Sequence, residues 1–295
     1  MNAETLLKDY WVTEVLRVLV EGYSESFVFK GGTSLTKAFH CVDRFSEDID
    51  ILITEKPDDM SFDRLMKTMA SAVTHSTGLE GERVGGTTNV WRSVKFTFPT
   101  RHGAVLRPEV ILEMGVRGSD APQHVVRDIR PLLADATQEG FDPSEYPDLR
   151  AFPIHVLHPA RTLWEKVVLL HHDVTSNAWK RHQDPSRFAR HYGDIGALLG
   201  MDEVKVMLND QALRSRLDQE VREISRRWFG GDPAPVPEGG YSQSDAFVLS
   251  GEFGEFLTQS FEEAVEVLWS SIGRPSLHGV LAAIKDNAAI LDPCV

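Results

Sequence analysis

The sequence predicts two lobes: a mixed α/β N-terminal lobe built on a small sheet, followed by a helical C-terminal lobe. Three observations predict this. After an opening helix, residues up to about 118 alternate short apolar runs with helical periodicity, as in a small mixed sheet with helices. Residues 119–153 then gather prolines, glycines and acids, the composition of a connection, with one short helical stretch near 124–135. Thereafter the apolar spacing is helical. The expected division is 1–118, a connecting segment 119–153, and 154–295.

In chain order, residues 4–20 place Leu7, Trp11, Val15, Val18 and Leu19 on one helical face. Phe27 to Lys30 is a short apolar strand that runs into the Gly31-Gly32 turn, and Thr33 to Cys41 can form a brief helix. Asp48 to Ile53 is a second strand, closed by Pro57. Ser61 to Thr74 forms a surface helix with Phe62, Leu65, Met66 and Met69 inward. Val90 to Phe98 and Ala104 to Val116 read as two strands joined by a turn at Pro99 to Gly103. Helices are expected at about 159–174, 186–199, 201–228, 245–270 and 275–291, interrupted by a Pro/Gly-rich loop at 230–243.

Composition narrows the class. The chain of 295 residues is long enough to bury a core without covalent staples. Its two cysteines, Cys41 and Cys294, offer neither a disulfide framework nor a CxxC metal site, so a reducing cytoplasm is the expected home. The N-terminus has no apolar signal-peptide core, and no run of 18 apolar residues predicts a membrane span. The net charge of −13 counts against coating long DNA but leaves room for a local basic groove.

The informative segment is Phe29-Lys30-Gly31-Gly32-Thr33-Ser34, followed sixteen residues after Gly32 by Asp48-Ile49-Asp50. A Gly-Gly pair after a strand lets backbone N–H groups approach an anion. Thr33 and Ser34 add hydroxyls at a helix start, where the dipole favours phosphate. Asp48 and Asp50, two apart on a strand, point to one face. Two carboxylates about 4 Å apart repel by about 4 kcal/mol at an effective dielectric near 20. Divalent cations remove that cost, and Mg²⁺ favours oxygen ligands together with substrate phosphates. A phosphate cradle beside a two-metal site is what phosphoryl or nucleotidyl transfer requires. Glu113 is the expected third carboxylate, with Glu109, on the same face of its strand, as the competitor. A lone GG is ordinarily only a turn, as in Gly85-Gly86-Thr87, and a lone DxD only a solvated edge; the ordered combination carries the assignment.

KDYWVTEVL, FKGGTSLTKAF and RFSEDIDILI resemble the AbiEii nucleotidyltransferase toxins, which include the MenT toxins of type IV-like toxin–antitoxin systems and belong to the DNA polymerase β superfamily. The resemblance covers residues 8–53 closely and continues through TLWEKVVLL and RHYGDIGALL to about residue 200. It implies a polymerase-β-like N-terminal lobe and a helical lobe that completes the active-site cleft. It assigns Gly31, Gly32, Thr33 and Ser34 to phosphate binding and Asp48 and Asp50 to the metal. Lys166 is matched to a lysine that contacts the triphosphate, and Asp194 to an essential acid. The implied activity is NMP transfer from an NTP, supported by two Mg²⁺ ions (Mn²⁺ substituting), to the 3′ end of tRNA. In that scheme the metals orient the α-phosphate and help deprotonate the acceptor hydroxyl, while Lys166 neutralises the triphosphate. Growth arrest and a cognate antitoxin follow from the same likeness.

Without the resemblance, Lys166 is an ordinary exposed helix lysine, and Asp194 pairs with Arg190 four residues earlier. His171-His172-Asp173 looks like a metal cluster, but adjacent helix residues diverge by about 100°. Ser46, a phosphorylation target if the family pattern extends to it, reads more simply as a turn residue. Trp179-Lys180-Arg181-His182, with Arg187 and Arg190, is either an RNA contact or a solvated loop. Two rival functions stand beside the main one. The first is a nucleotidyltransferase of the same fold acting on a protein or small molecule. The second is a non-catalytic nucleotide-binding module, which would gain nothing from two facing carboxylates.

Overall fold

A computed structural model describes residues 3–44, 48–100, 107–118, 123–135, 141–181, 183–229, 231–269 and 273–293. The chain divides into two compact units, 1–39 with 46–157, and 40–45 with 158–295.

The first unit holds strands β1 (Phe27–Lys30), β2 (Asp48–Ile53), β3 (Glu80–Thr87), β4 (Trp91–Thr97), β5 (Glu109–Gly115), β6 (His124–Ile129) and β7 (Phe152–Leu157). They form one sheet in the order β3-β4-β5-β2-β1-β7-β6. Its helices are α1 (Ala3–Tyr23), α2 (Gly31–Lys37) and α3 (Phe62–Thr77). The inward stripes of α1 (Val12, Val15, Leu16, Leu19) and α3 (Leu65, Met66, Met69, Val73) pack on Phe27, Phe29, Ile49, Ile51, Val110 and Leu112 in a single core. Residues of β1 and β2 that alternate with these carry the chemistry to the opposite face. Helix α3 has clear ends: Ser61 accepts from Arg64 N, and Gly78 closes it with φ +73.

The segment 119–153 is not the expected connector. Its residues 124–129 form β6 rather than a helix, antiparallel to β7, which lies parallel to β1. Val125 and Val126 favour an extended chain, but β6 is an edge strand with one solvated side, so no apolar alternation announced it. Strand β3 has no counterpart among the expected strands for the same reason: EGERVGGT is nearly all exposed. The expected strand at 104–116 is observed from Glu109, and residues 104–106 lie outside the described residues.

The second unit contains α4 (Pro159–Thr175), α5 (Pro185–Gly200), α6 (Asp202–Leu208), α7 (Gln211–Phe229), α8 (Asp245–Val248), α9 (Gly251–Leu268) and α10 (Leu277–Asp286). Its core includes Leu163, Trp164, Val167, Phe188, Tyr192, Ile195, Leu257 and Phe261. The helix expected at 201–228 breaks at Asn209-Asp210, where Asp210 caps the next helix through Leu213 N at 3.1 Å. The one expected at 245–270 breaks at Leu249, whose φ of +52 ends α8. Residues 40–45 join this unit, and Arg44 forms a β-bridge with Trp269. Among the described residues no helix is long and apolar enough to cross a membrane.

Candidate functional site

The carboxylates come together through strand register. Strand β2 runs parallel to β5, with Asp48 opposite Ile111 and Asp50 opposite Glu113. Paired residues in neighbouring strands share a face, so Asp48, Asp50 and Glu113 lie on the side of the sheet away from the α1–α3 core. Glu109 lies beyond this register; it pairs with Thr97 of β4, and Arg107 stands 3.8 Å from its carboxylate. Partial desolvation, then the negative charges of Asp50 and Asp48, push the Glu113 carboxyl above the usual carboxylate range. Glu113 therefore feels both aspartates.

The glycine turn is built against this pair. Gly31 has φ +78, and a Cβ on it would collide with the Asp50 carboxylate. It is thus required twice, by its backbone conformation and by the close approach of Asp50. The hydroxyls of Thr33 and Ser34 are not presented outward: both side chains are buried, Thr33 donating to the Asp48 carbonyl and Ser34 to the Gly31 carbonyl at 2.8 Å. They tie α2 to β2 and close the turn. What the segment can offer an anion is the backbone N–H groups at the start of α2, which have no intrahelical acceptor.

The donor set suits a hard divalent cation: carboxylate oxygens on adjacent strands, with Gly31 leaving room for that of Asp50. Among the described residues, however, no three His, Cys, Asp or Glu side chains are gathered closely enough to enclose an ion. The Asp48–Asp50 pair offers carboxylates on one face, with Glu113 in register beside Asp50 but not drawn with them into an ion-enclosing cluster.

In the second unit, Lys166 and Asp194 meet directly. Lys166 Nζ lies 3.0 Å from Asp194 Oδ2. The expected Arg190 partner is replaced by Arg44, whose Nε and Nη2 donate to the two Asp194 oxygens at 2.8 and 2.9 Å. Asp194 and Arg44 are separated by 150 residues, so local helix spacing gave no sign of the pair. Burial raises the Asp194 carboxyl, but the charges of Lys166 and Arg44 and their hydrogen bonds outweigh it and hold its pKa at about 2. His191 Nδ1, 3.5 Å from Lys166, is pushed well below the usual imidazole range by burial and by that lysine. Lys166 is a largely buried member of an ion cluster, not the exposed lysine that its sequence context suggests.

The remaining candidates have structural partners. His171 bonds Ser244 Oγ and the Pro235 carbonyl, each at 2.8 Å, His172 accepts from Ala234 N, and Asp173 pairs with Arg187 at 2.8 Å. These three fasten the 230–243 loop and α5 to α4 rather than forming a metal cluster. Lys180 is bound to Glu252 at 2.5 Å. Trp179 is buried against Phe253 and Phe256, so it is no stacking platform for a base. Ser46, His182 and Cys294 lie outside the described residues.

A sequence model of the AbiEii family, described as nucleotidyl transferase AbiEii toxin of a type IV toxin–antitoxin system, matches residues 16–272. No curated protein matches the sequence. Among solved structures, the chain is similar to MenT4, nucleotidyltransferase toxin Rv2826c from Mycobacterium tuberculosis H37Rv. The two share 16% identity over 99% of this chain and 95% of that one, with a TM-score of 0.50. At this identity the likeness speaks for the fold.

Proposed function

The chain belongs to the AbiEii nucleotidyltransferase toxin family, and from that premise we propose that it transfers a nucleoside monophosphate from an NTP to the 3′ end of tRNA with the support of two Mg²⁺ ions. The observation that carries this reading is the parallel register of β2 and β5, which sets Glu113 beside Asp50 on the face that also holds Asp48.

Asp48, Asp50 and Glu113 would hold the ions, which when bound relieve carboxylate repulsion and supply Lewis-acid polarisation of the phosphoryl oxygens. The turn at Gly31-Gly32 keeps the backbone close to Asp50 and offers N–H groups to phosphate oxygens. Lys166 contributes positive charge to the triphosphate, with Asp194 fixing the direction of its ammonium group. The family is one of toxins in toxin–antitoxin systems, so the proposal includes growth arrest as the outcome and a cognate antitoxin as partner.

The test is to incubate the purified protein with each of the four labelled NTPs and total tRNA. We expect label on tRNA from at least one NTP, abolished by EDTA and restored by Mg²⁺ or Mn²⁺. Undiminished transfer after exhaustive chelation would rule out the metal ions. Absence of labelled tRNA with every NTP would overturn the acceptor, and label appearing on a protein or small molecule would identify its replacement.

A further inference from the structure

Asp194 is fully buried, yet two cations rather than one answer its single charge. Arg44 takes both carboxylate oxygens with its planar fork, the geometry that distinguishes arginine from lysine. Lys166 approaches Oδ2 from elsewhere. One carboxylate, one guanidinium and one ammonium sum to a formal +1, and burial decides where the surplus shows. The Asp194 and Arg44 side chains are 0% and 4% exposed, whereas that of Lys166 is 12% exposed. The positive end nearest solvent is therefore Lys166.

Arg44 is firmly seated. Its backbone bridges Trp269, and the Trp269 ring lies so close to Gly193, the residue before Asp194, that a Cβ there would overlap it. His191 lies 3.5 Å from Lys166, and burial and that lysine favour its neutral form, so it leaves the sum of +1 unchanged.

We propose that Arg44 is a positioning residue that satisfies Asp194 so that Lys166 keeps a surplus positive charge, in a fixed direction, for a phosphate oxyanion. Without Arg44, Lys166 becomes the sole counter-ion of a buried carboxylate and is held in a neutral pair, because a buried charge left unpaired is costly. Arginine's service is thus to relieve lysine of that duty. This rests on the reading of Lys166 as a triphosphate contact.

The experiment measures NTP affinity without acceptor, by displacement of a fluorescent triphosphate analogue with each of the four NTPs, alongside steady-state KM and kcat. Arg44→Gln should weaken NTP binding about tenfold, the size of one charge-assisted contact, and act on KM more than on kcat. Arg44→Lys should lose less. The deciding variant is Arg44→Gln with Asp194→Asn: removing the carboxylate as well frees the Lys166 charge, so NTP affinity should rise above that of Arg44→Gln, short of wild type because Asp194 no longer directs the ammonium group. A merely structural role for Arg44 predicts no such recovery, and the double variant still decides if Arg44→Gln alone fails to fold. Normal affinity in folded Arg44→Gln, or no recovery in the double variant, would overturn the proposal while leaving the role of Lys166 intact. Lys166→Met separates the two claims: unchanged NTP affinity in that variant would overturn the reading of Lys166 and this inference with it.

Discussion

Asp194 keeps its negative charge in the interior because Arg44 and Lys166 both compensate it, and that has a consequence for stability. Its folded pKa of about 2 lies below the ordinary 3.8, so its contribution is present in full above that ordinary value, diminishes as the pH falls below it, and is lost as the pH falls through about 2. The contribution amounts to roughly 2 kcal/mol. Denaturation between about pH 2 and 6 should show this acid loss in the wild type and a flatter profile in Asp194→Asn. That variant should also lose about 3–5 kcal/mol near neutrality, because two buried cations then face each other uncompensated. The carboxylates proposed to hold the metal behave oppositely. Asp48→Asn or Asp50→Asn should reduce transfer at least about 10³-fold, roughly 4 kcal/mol of transition-state stabilisation. Melting of the metal-free variants should be unchanged or higher, since a repulsive charge has been removed. On the same strand, Glu113→Gln should impair metal-dependent transfer much more than Glu109→Gln, because only Glu113 stands in register with Asp50. The reverse order in a side-by-side assay would move the third carboxylate to Glu109.

At the scale of elements, the strand–turn–helix–strand unit from β1 to β2 explains why part of the fold was legible and part was not. FVFK and DIDILI lie in the middle of the sheet, and their observed bounds match those expected because buried central strands are written as apolar runs. Strands β3 and β6 are edges, where solvent removes the pattern that would mark them, so the segment 119–153 reads as a connector in sequence. Within the site, the Asp48–Asp50 spacing could be read directly because a strand repeats every two residues. The inward use of the Thr33 hydroxyl could not, since its acceptor is the Asp48 carbonyl fifteen residues along the chain, while Ser34 turns back onto the Gly31 carbonyl. The same unit makes Gly31 a test of geometry rather than of charge. Gly31→Ala puts a methyl group where the Asp50 carboxylate lies, on a backbone with φ +78. Transfer should fall to a level comparable with Asp50→Asn, with a stability loss of about 1–3 kcal/mol in denaturant titrations. Near-normal transfer would show that the turn does not position Asp50.

For the whole molecule, charge decides how the proposed RNA acceptor would be held. A net charge of −13 repels polyanions at long range, so contact depends on a local group of cations. The sequence pointed to Lys180, Arg181, Arg187 and Arg190, but two of these are already engaged: Lys180 with Glu252 and Arg187 with Asp173. Those pairings join residues 72 and 14 positions apart, which no local pattern displays. Arg181 and Arg190 remain as the cations of this group without an ion pair among the described residues. If both meet phosphates, a single-stranded RNA carrying the tRNA 3′ end should bind with a log–log salt slope of about −1.4, from about −0.7 per contact. Fluorescence anisotropy across a salt series measures this. Arg181→Glu with Arg190→Glu should then flatten the slope and raise the KM for tRNA, while the KM for NTP stays unchanged because Lys166 and the Gly31 turn are untouched. Arg187→Glu should behave differently: it sets two negative groups together at Asp173, so it should lower the melting temperature with little change in salt slope. A slope that survives the Arg181 and Arg190 reversal, in a protein that still labels tRNA, would place the acceptor groove on another surface of the chain.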